Sequence, residues 1–259
     1  MNEDLRINSV ETLLAILERL AHRNGATVAE LTEELDVTRS TVYKHLATLE
    51  HEGYVDRTDD EYRLGLRFFR FGGGARDRLD IYFAARSQVL DLARKTDLPA
   101  YIVVEVKRRG MFVFRTDPAF GNDVTVPPGT ELPLHTCAPG KAILAAKPES
   151  FLEAYLDDDP LAARTDATIT DESRLREELR EVSDRNLAVD VGEGFPGIAS
   201  IASAVISEND QLLGALGVAL PTDALDDRNE TTLGNQVRNA ANLVSVEASY
   251  DRWLNEESS

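Results

Sequence analysis

The chain is 259 residues long and 42% apolar, enough for two small domains with cores of their own. Its 28 Lys+Arg against 46 Asp+Glu give a formal charge of −18, which by default argues against nucleic acid and anionic membranes as partners. One cysteine excludes a disulfide framework and a Cys-built zinc finger, and neither a membrane-length apolar run nor a signal peptide is present, so a soluble cytoplasmic protein is expected.

Only five basic residues are lysines (Lys44, Lys95, Lys107, Lys141, Lys147). A carboxylate-rich surface of this kind also suits concentrated salt, where long-range repulsion is screened within a few ångström. Global charge therefore does not veto DNA binding, and local chemistry has to decide.

In the first segment Val10, Leu13, Leu14, Ile16, Leu17 and Leu20 recur at helical spacing and predict one amphipathic helix facing a core. Gly25 fits its stop. Thr27 and Glu30 form a capping box for a second helix that turns Val28, Leu31 and Leu35 inward. After the turn at Asp36-Val37, Thr38 caps a third helix over 39–52 with Val42, Leu46 and Leu49 buried. Two short strands, 54–57 and 62–64, follow around Thr58-Asp59-Asp60-Glu61. Three helices and a hairpin predict a winged helix-turn-helix over residues 1–65.

The third helix carries the chemistry. With its apolar stripe buried, Arg39, Ser40, Thr41, Tyr43, Lys44, His45 and Thr48 are expected on the outside, a set of groups suited to base edges and phosphates. No acid lies between Thr38 and Leu49, although residues 1–70 hold nine Lys/Arg and 14 Asp/Glu. Arg57 and Arg63 on the hairpin are candidates for flanking backbone or minor-groove contacts. Residues 66–98 read as a helical connector interrupted by Gly72-Gly73-Gly74, in which Phe68, Phe69 and Phe71 either line a dimer contact or cover the first helix. Tyr82 and Phe83 pose the same choice between dimer contact and core.

Residues 99–259 alternate strands and helices. Strands are predicted at 100–106 and 111–115 around Lys107-Arg108-Arg109-Gly110, at 124–126 before the turn Pro127-Pro128-Gly129, and at 187–191, 198–206 and 212–220. Helices fit 140–146, 148–155, 171–185 and 225–254. The last of these turns Leu233, Val237, Ala240, Ala241, Val244 and Ala248 to a core. The fold class expected is α+β, antiparallel hairpins with helices packed on them.

Two stretches stand out. Residues 132–142, with His135, Cys137, Ala138, Pro139, Gly140 and Lys141, run through a loop into a helix start, where free N–H groups favour an anion. Residues 190–200, with Asp190, Glu193, Ile198 and Ser200, form a glycine-punctuated loop leading into a strand. His135, Cys137, Asp190 and Glu193 also invite weaker readings as metal ligands or, for Cys137 with His135, as a nucleophile pair. Lys141 is expected either to meet an anionic ligand or to lie on the surface.

Over essentially its whole length the chain resembles the IclR-type transcriptional regulators, with a composition of haloarchaeal kind. The likeness rests on Ser9-Val10-Glu11-Thr12-Leu13 with the winged helix, on His135 to Ala142 with its Gly-Lys-Ala ending, and on Asp190…Glu193…Gly197…Ile201-Ala202. It implies a homodimer or tetramer that binds a double-stranded DNA operator, acting as repressor or activator. It also implies a GAF-like domain over 99–259 that binds a small effector from carbon, aromatic or sugar catabolism, with no cofactor and no catalysis. The family's ligand site carries over to Asp190, Ile198 and Ser200. Its carboxylate-gripping backbone pair falls on Ala138 and Pro139, and two of its serines fall on Gly217 and Ala219. Proline has no N–H and the last two have no hydroxyl, so a small keto acid is disfavoured and a larger, hydroxyl-rich or more apolar ligand is expected. The alternative is a metal-dependent or Cys/His hydrolase with an accessory helical domain.

Overall fold

The computed structural model describes residues 6–116, 126–158 and 160–257, with side chains of the last helix described to Ala248. The chain divides into two compact units, 1–76 and 77–259.

The first unit runs α1 (Asn8–Arg23), β1 (Ala26–Thr27), α2 (Val28–Leu35), α3 (Arg39–His51), β2 (Val55–Thr58), β3 (Glu61–Leu64) and α4 (Arg67–Arg76). Ile16, Leu20, Leu31, Val42, Leu46, Leu49, Val55 and Tyr62 close its core. The Thr27 hydroxyl accepts the Glu30 N–H at 3.3 Å while Glu30 accepts the Thr27 N–H at 2.8 Å, the reciprocal capping box. Thr38 accepts the Thr41 N–H at 3.3 Å and starts α3. The antiparallel sheet has the order β1-β3-β2. Two-residue β1 is too short to leave an alternation signal.

Two expectations fail here. Val10 and Leu14 do not face the core: with Ile7, just before the helix, they form a second, exposed stripe, while Ile16 and Leu20 supply the buried one. The apolar arc of α1 is wider than one face. Nor do the three glycines interrupt the connector, since α4 runs through them and the break comes at 77–79. Each glycine costs a helix about 1 kcal/mol relative to alanine, but none obstructs it. Upstream the helix is anchored on Tyr54, which meets Phe68 at 5.1 Å, Phe71 at 6.0 Å and the Arg67 guanidinium at 5.0 Å.

The second unit runs α5 (Asp80–Thr96), β4 (Ala100–Val106), β5 (Arg109–Arg115), β6 (Glu131–Pro133), a 3-10 turn (Leu134–Thr136), α6 (Ala138–Ala146), α7 (Glu149–Asp158), α8 (Glu172–Arg185), β7 (Ala188–Val191), β8 (Ile198–Ile206), β9 (Leu212–Pro221) and α9 (Asp227–Glu257). Its strands form one antiparallel sheet in the order β6-β5-β4-β9-β8-β7. Alternation splits the side chains between two cores. Ile102, Val104, Ile201, Val205, Leu216 and Val218 meet α5 and α9, with Leu233, Val237, Ala240, Ala241, Val244 and Ala248 buried as expected. Tyr101, Val103, Phe112, Ala188, Ala202 and Ala215 meet α6, α7 and α8 on the opposite face. Tyr82 is buried, edge-on to Phe114 at 6.2 Å, whereas Phe83 is exposed.

The β4–β5 hairpin is tighter than expected. Lys107 and Arg108 both take positive φ (49° and 63°), a two-residue turn, and Arg109 and Gly110 already belong to β5. The strand expected at 124–126 lies outside the described residues at 124 and 125. Val126 itself is not in a strand, and the added strand is β6.

Candidate functional site

On α3 the buried stripe forces the opposite face outward. Arg39, Ser40, Tyr43, Lys44 and Thr48 are exposed, while Thr41 and His45 are only half-buried rather than fully presented. Thr41 pairs its hydroxyl with Thr38 at 2.8 Å, and Thr48 donates to the Lys44 carbonyl at 2.9 Å. Among the described residues neither Arg39 nor Lys44 has an ion-pair partner. The hairpin arginines differ. Arg57 binds the Asp59 carbonyl at 2.8 Å, reaches Asp60 at 3.4 Å and stacks over Tyr62 at 5.4 Å. Arg63 pairs with Glu61 at 2.8 Å.

The second unit holds a cavity of about 590 Å3, its mouth included, between the α6 side of the sheet and the segment entering α6. Pro99, Tyr101, Phe112, Arg115, Leu132, Ile198, Ser200, Ala219 and Leu220 line it from or beside the strands; Val126, Cys137, Pro139, Asp190 and Phe195 complete it. The two peculiar stretches thus meet, and six of the expected residues line one space: Cys137, Pro139, Asp190, Ile198, Ser200 and Ala219. Asp190 accepts the Glu193 N–H at 2.7 Å and the Ser200 hydroxyl at 3.2 Å. Burial pushes its carboxyl up to about 7, against the pull of the Glu193 N–H. Burial likewise pushes the Cys137 thiol up to about 12 and the Tyr101 phenol above its usual range.

The other expected residues do not line the cavity. His135 is fully buried, with Nδ1 2.6 Å from the Tyr155 hydroxyl and Nε2 3.2 Å from the Ala162 carbonyl. Ala138 and Gly140 lie inside the α6 start, buried with every residue through Leu144. A Cβ on Gly140 would stand 2.1 Å from the Leu134 carbonyl oxygen, so only glycine lets the 3-10 turn pass this close. Glu193 turns away to Lys141. Gly217 is a point of close approach, where a Cβ would meet the Ile201 carbonyl at 2.2 Å and the Tyr101 hydroxyl at 2.8 Å. The Tyr101 hydroxyl therefore crowds the space that a serine side chain at 217 would need.

Lys141 fits neither expectation. It is 1% exposed and bonds Glu178 and Glu193, each at 2.8 Å. Burial opposes its charge, yet the two carboxylates outweigh that and hold the ammonium above the ordinary lysine range. Glu193 Oε2 is buried without a hydrogen bond, so the trio is incompletely satisfied.

Sequence reasoning missed Tyr101, Phe112, Arg115, Leu132 and Phe195 in the cavity wall. Strand alternation carried the signal for the first two, which share a face with Val103. It also missed the strap 162–168 that holds the 190–197 loop. Thr165 donates to the Gly192 carbonyl at 2.7 Å, Thr168 to the Glu193 carbonyl at 2.8 Å, and Arg164 to the Gly194 carbonyl at 3.2 Å. Its Ala162 carbonyl meets His135, so one segment ties both stretches together.

This geometry gives the hydrolase alternative no support. Both His135 ring nitrogens are engaged away from Cys137, and a thiol that titrates near 12 is no ready nucleophile. No group of three or more metal-ligating side chains occurs among the described residues. No helix among them is long and apolar enough to cross a membrane.

Comparison with known proteins agrees. Residues 74–246 match the model of the bacterial transcriptional regulator IclR C-terminal domain, and residues 9–59 match that of the IclR helix-turn-helix domain. A probable HTH-type transcriptional regulator ArcR of Halobacterium salinarum is 30% identical, over 94% of this chain and 95% of that one. An IclR transcriptional regulator from Alicyclobacillus acidocaldarius superimposes with a TM-score of 0.81 at 26% identity, covering 94% and 99% of the two chains. An IclR homologue of Microbacterium hydrocarbonoxydans, crystallised with 4-hydroxybenzoate, has the same fold at a TM-score of 0.77 and 20% identity, covering 91% and 98%. The winged helix, the helix-covered sheet and these likenesses together make the chain a DNA-binding transcriptional regulator of the IclR family.

Proposed function

We propose that the protein works in the cytoplasm as a homodimer or a pair of dimers, in which the two α3 helices of a dimer read operator half-sites in successive major grooves. The observation that carries this reading is the exposed face of α3. In a chain of net charge −18, Arg39 and Lys44 stand there with no acidic partner among the described residues, flanked by Ser40, Tyr43 and Thr48. Arg57 and Arg63 add flanking contacts once they exchange their hairpin carboxylates for phosphates. The surface that mates two subunits is the exposed apolar stripe of Ile7 with Val10 and Leu14 of α1, together with Leu66 (90% exposed), Phe69 (70%) and Phe71 of the connector.

The cavity binds the effector through Tyr101, Cys137, Pro139, Asp190, Ile198, Ser200 and Ala219. His135, Ala138, Gly140, Glu193 and Gly217 act indirectly, by setting the backbone around it. Effector binding shifts a balance between DNA-competent and DNA-incompetent arrangements by its differential affinity for the two. The acidic surface is an adaptation to concentrated salt, in keeping with the Halobacterium relative.

Operator binding is tested by titrating the gene's upstream DNA against the protein from low to molar KCl. A sequence-preferring complex is expected, and its absence at every salt concentration overturns the reading. For the salt adaptation, melting temperature is expected to climb with KCl into the molar range, and a flat or falling curve removes it.

A further inference from the structure

We infer that Arg164 is the gatekeeper of the cavity: from the strap it holds shut a door formed by residues 194–197, and so controls access to the space beneath. The door is the run Gly194-Phe195-Pro196-Gly197, with Phe195 in the cavity wall. The frame around it is fixed. Thr165 and Thr168 hold the Gly192 and Glu193 carbonyls at 2.7 and 2.8 Å, and Lys141 holds the Glu193 carboxylate at 2.8 Å. On the far side the Thr222 N–H binds the Gly197 carbonyl at 3.0 Å, and the Ile198 N–H meets the Phe195 carbonyl at 3.2 Å. Gly197 itself takes a φ of 77° with open space around it, a hinge that can absorb a backbone swing. At the other end a Cβ on Gly194 would stand 2.8 Å from the Thr136 carbonyl oxygen and 3.8 Å from the Cys137 Cβ. The shut door therefore lies directly on the segment entering α6.

Within the strap, among the described residues, Arg164 is the one that bonds or stacks beyond Glu193. Its Nε donates to the Gly194 carbonyl at 3.2 Å, and its guanidinium lies over the Phe195 ring at 5.5 Å. One side chain thus grips both the latch end of the door and its aromatic leaf. Arg164 is exposed, so it can let go into water without leaving a buried charge behind. Two weak contacts at the surface suit a part that opens often, whereas the buried Lys141–Glu193 pair suits a part that stays. The bearing of this door on effector exchange rests on the cavity being the effector site; there Arg164 is a positioning residue that acts through Phe195.

Cys137, the chain's single cysteine, is the probe, since it is buried in the cavity wall beneath the door. Burial pushes its thiol up to about 12, so it alkylates only when water and reagent reach it. The full chain is treated with iodoacetamide without denaturant, and alkylation is followed by mass spectrometry. Arg164→Ala is expected to speed labelling by about fivefold to thirtyfold, the combined worth of a cation–π contact and a hydrogen bond, while melting close to wild type. Phe195→Ala removes the leaf and should speed labelling further, and in that background Arg164→Ala should add nothing. Val237→Ala, in the core on the opposite face of the sheet, should lower the melting temperature yet leave the labelling rate unchanged. Equal rates in wild type and Arg164→Ala overturn the inference. So does an Arg164→Ala effect that persists undiminished in Phe195→Ala, or an equal acceleration by Val237→Ala, which would make the opening global. The labelling needs no ligand, so its failure leaves the effector reading standing, and a cavity that binds no effector leaves the door in place.

Discussion

Lys44 and Lys141 each lie in a helix that follows a tight turn, and from the sequence both are candidates to meet an anion. The fold separates them completely. Lys44 projects from α3 into solvent with no ion-pair partner among the described residues, whereas Lys141 is swallowed at the start of α6 and held by Glu178 and Glu193. The difference lies in what surrounds each helix. Helix α3 has one apolar stripe and shows the rest of its circumference to water, but α6 is covered on every side from Ala138 to Leu144. A lysine on a one-sided helix stays available to a partner, and a lysine on an all-apolar helix must bring its counter-ions with it.

The sharpest way to break this comparison is to remove each charge. Lys141→Met leaves Glu193 buried without its cation and should cost about 3–5 kcal/mol in chemical denaturation. Lys44→Ala should stay within about 0.5 kcal/mol of wild type. Equal stability of the two variants would mean that the Lys141 trio contributes nothing. That cost should persist in molar KCl, because buried pairs are screened little.

The next effect concerns Asp190, which faces Tyr101 from β4, Cys137 and Lys141 from the α6 side, Glu193 from its own loop, Ser200 from β8 and Arg115 across the cavity. Its folded pKa, about 7, lies above the ordinary 3.8, so the fold disfavours the ionised form. The stability this group contributes is full below about pH 4 and is lost as pH rises through 7. Asp190→Asn should remove that decline, leaving the variant better placed against wild type at pH 8 than at pH 5 in denaturant titrations. An unchanged pH slope would show that the carboxyl titrates normally.

Smaller still are the losses at the DNA face. Arg39→Ala should weaken operator binding by about 1–3 kcal/mol if it reads a base, and Lys44→Ala should lower the salt slope by about one unit if it neutralises a phosphate. Unaltered operator affinity in both, measured by fluorescence anisotropy, would place the reading face elsewhere.

How much of this was legible beforehand follows from the range of each interaction. The capping box at Thr27 and Glu30, the Thr38 cap and the stripe Val42, Leu46 and Leu49 are contacts within a few residues, so spacing alone reveals them. The same holds for β4, β8 and β9 of the second unit. The cavity was half legible: the 132–142 and 190–200 stretches announced themselves by composition, but Tyr101, Phe112 and Arg115 join them only through sheet register. That His135 sits behind the cavity wall was not legible, because its partners, Tyr155 and Ala162, lie 20 and 27 residues away. Lys141 was open for the same reason, with Glu178 and Glu193 brought in by the fold. The triple glycine misled because composition reports helix cost, not whether anything else stops the helix.

The crowding at Gly217 has an evolutionary consequence. A serine there collides with the Ile201 carbonyl and with the Tyr101 hydroxyl, so introducing it would require shifting β8 against β9 as well as moving the tyrosine. Position 219 carries a Cβ already and opens onto the cavity. Adaptive change in ligand preference in this lineage is therefore expected to travel by single steps through 219, while 217 and 101 are locked into changing together.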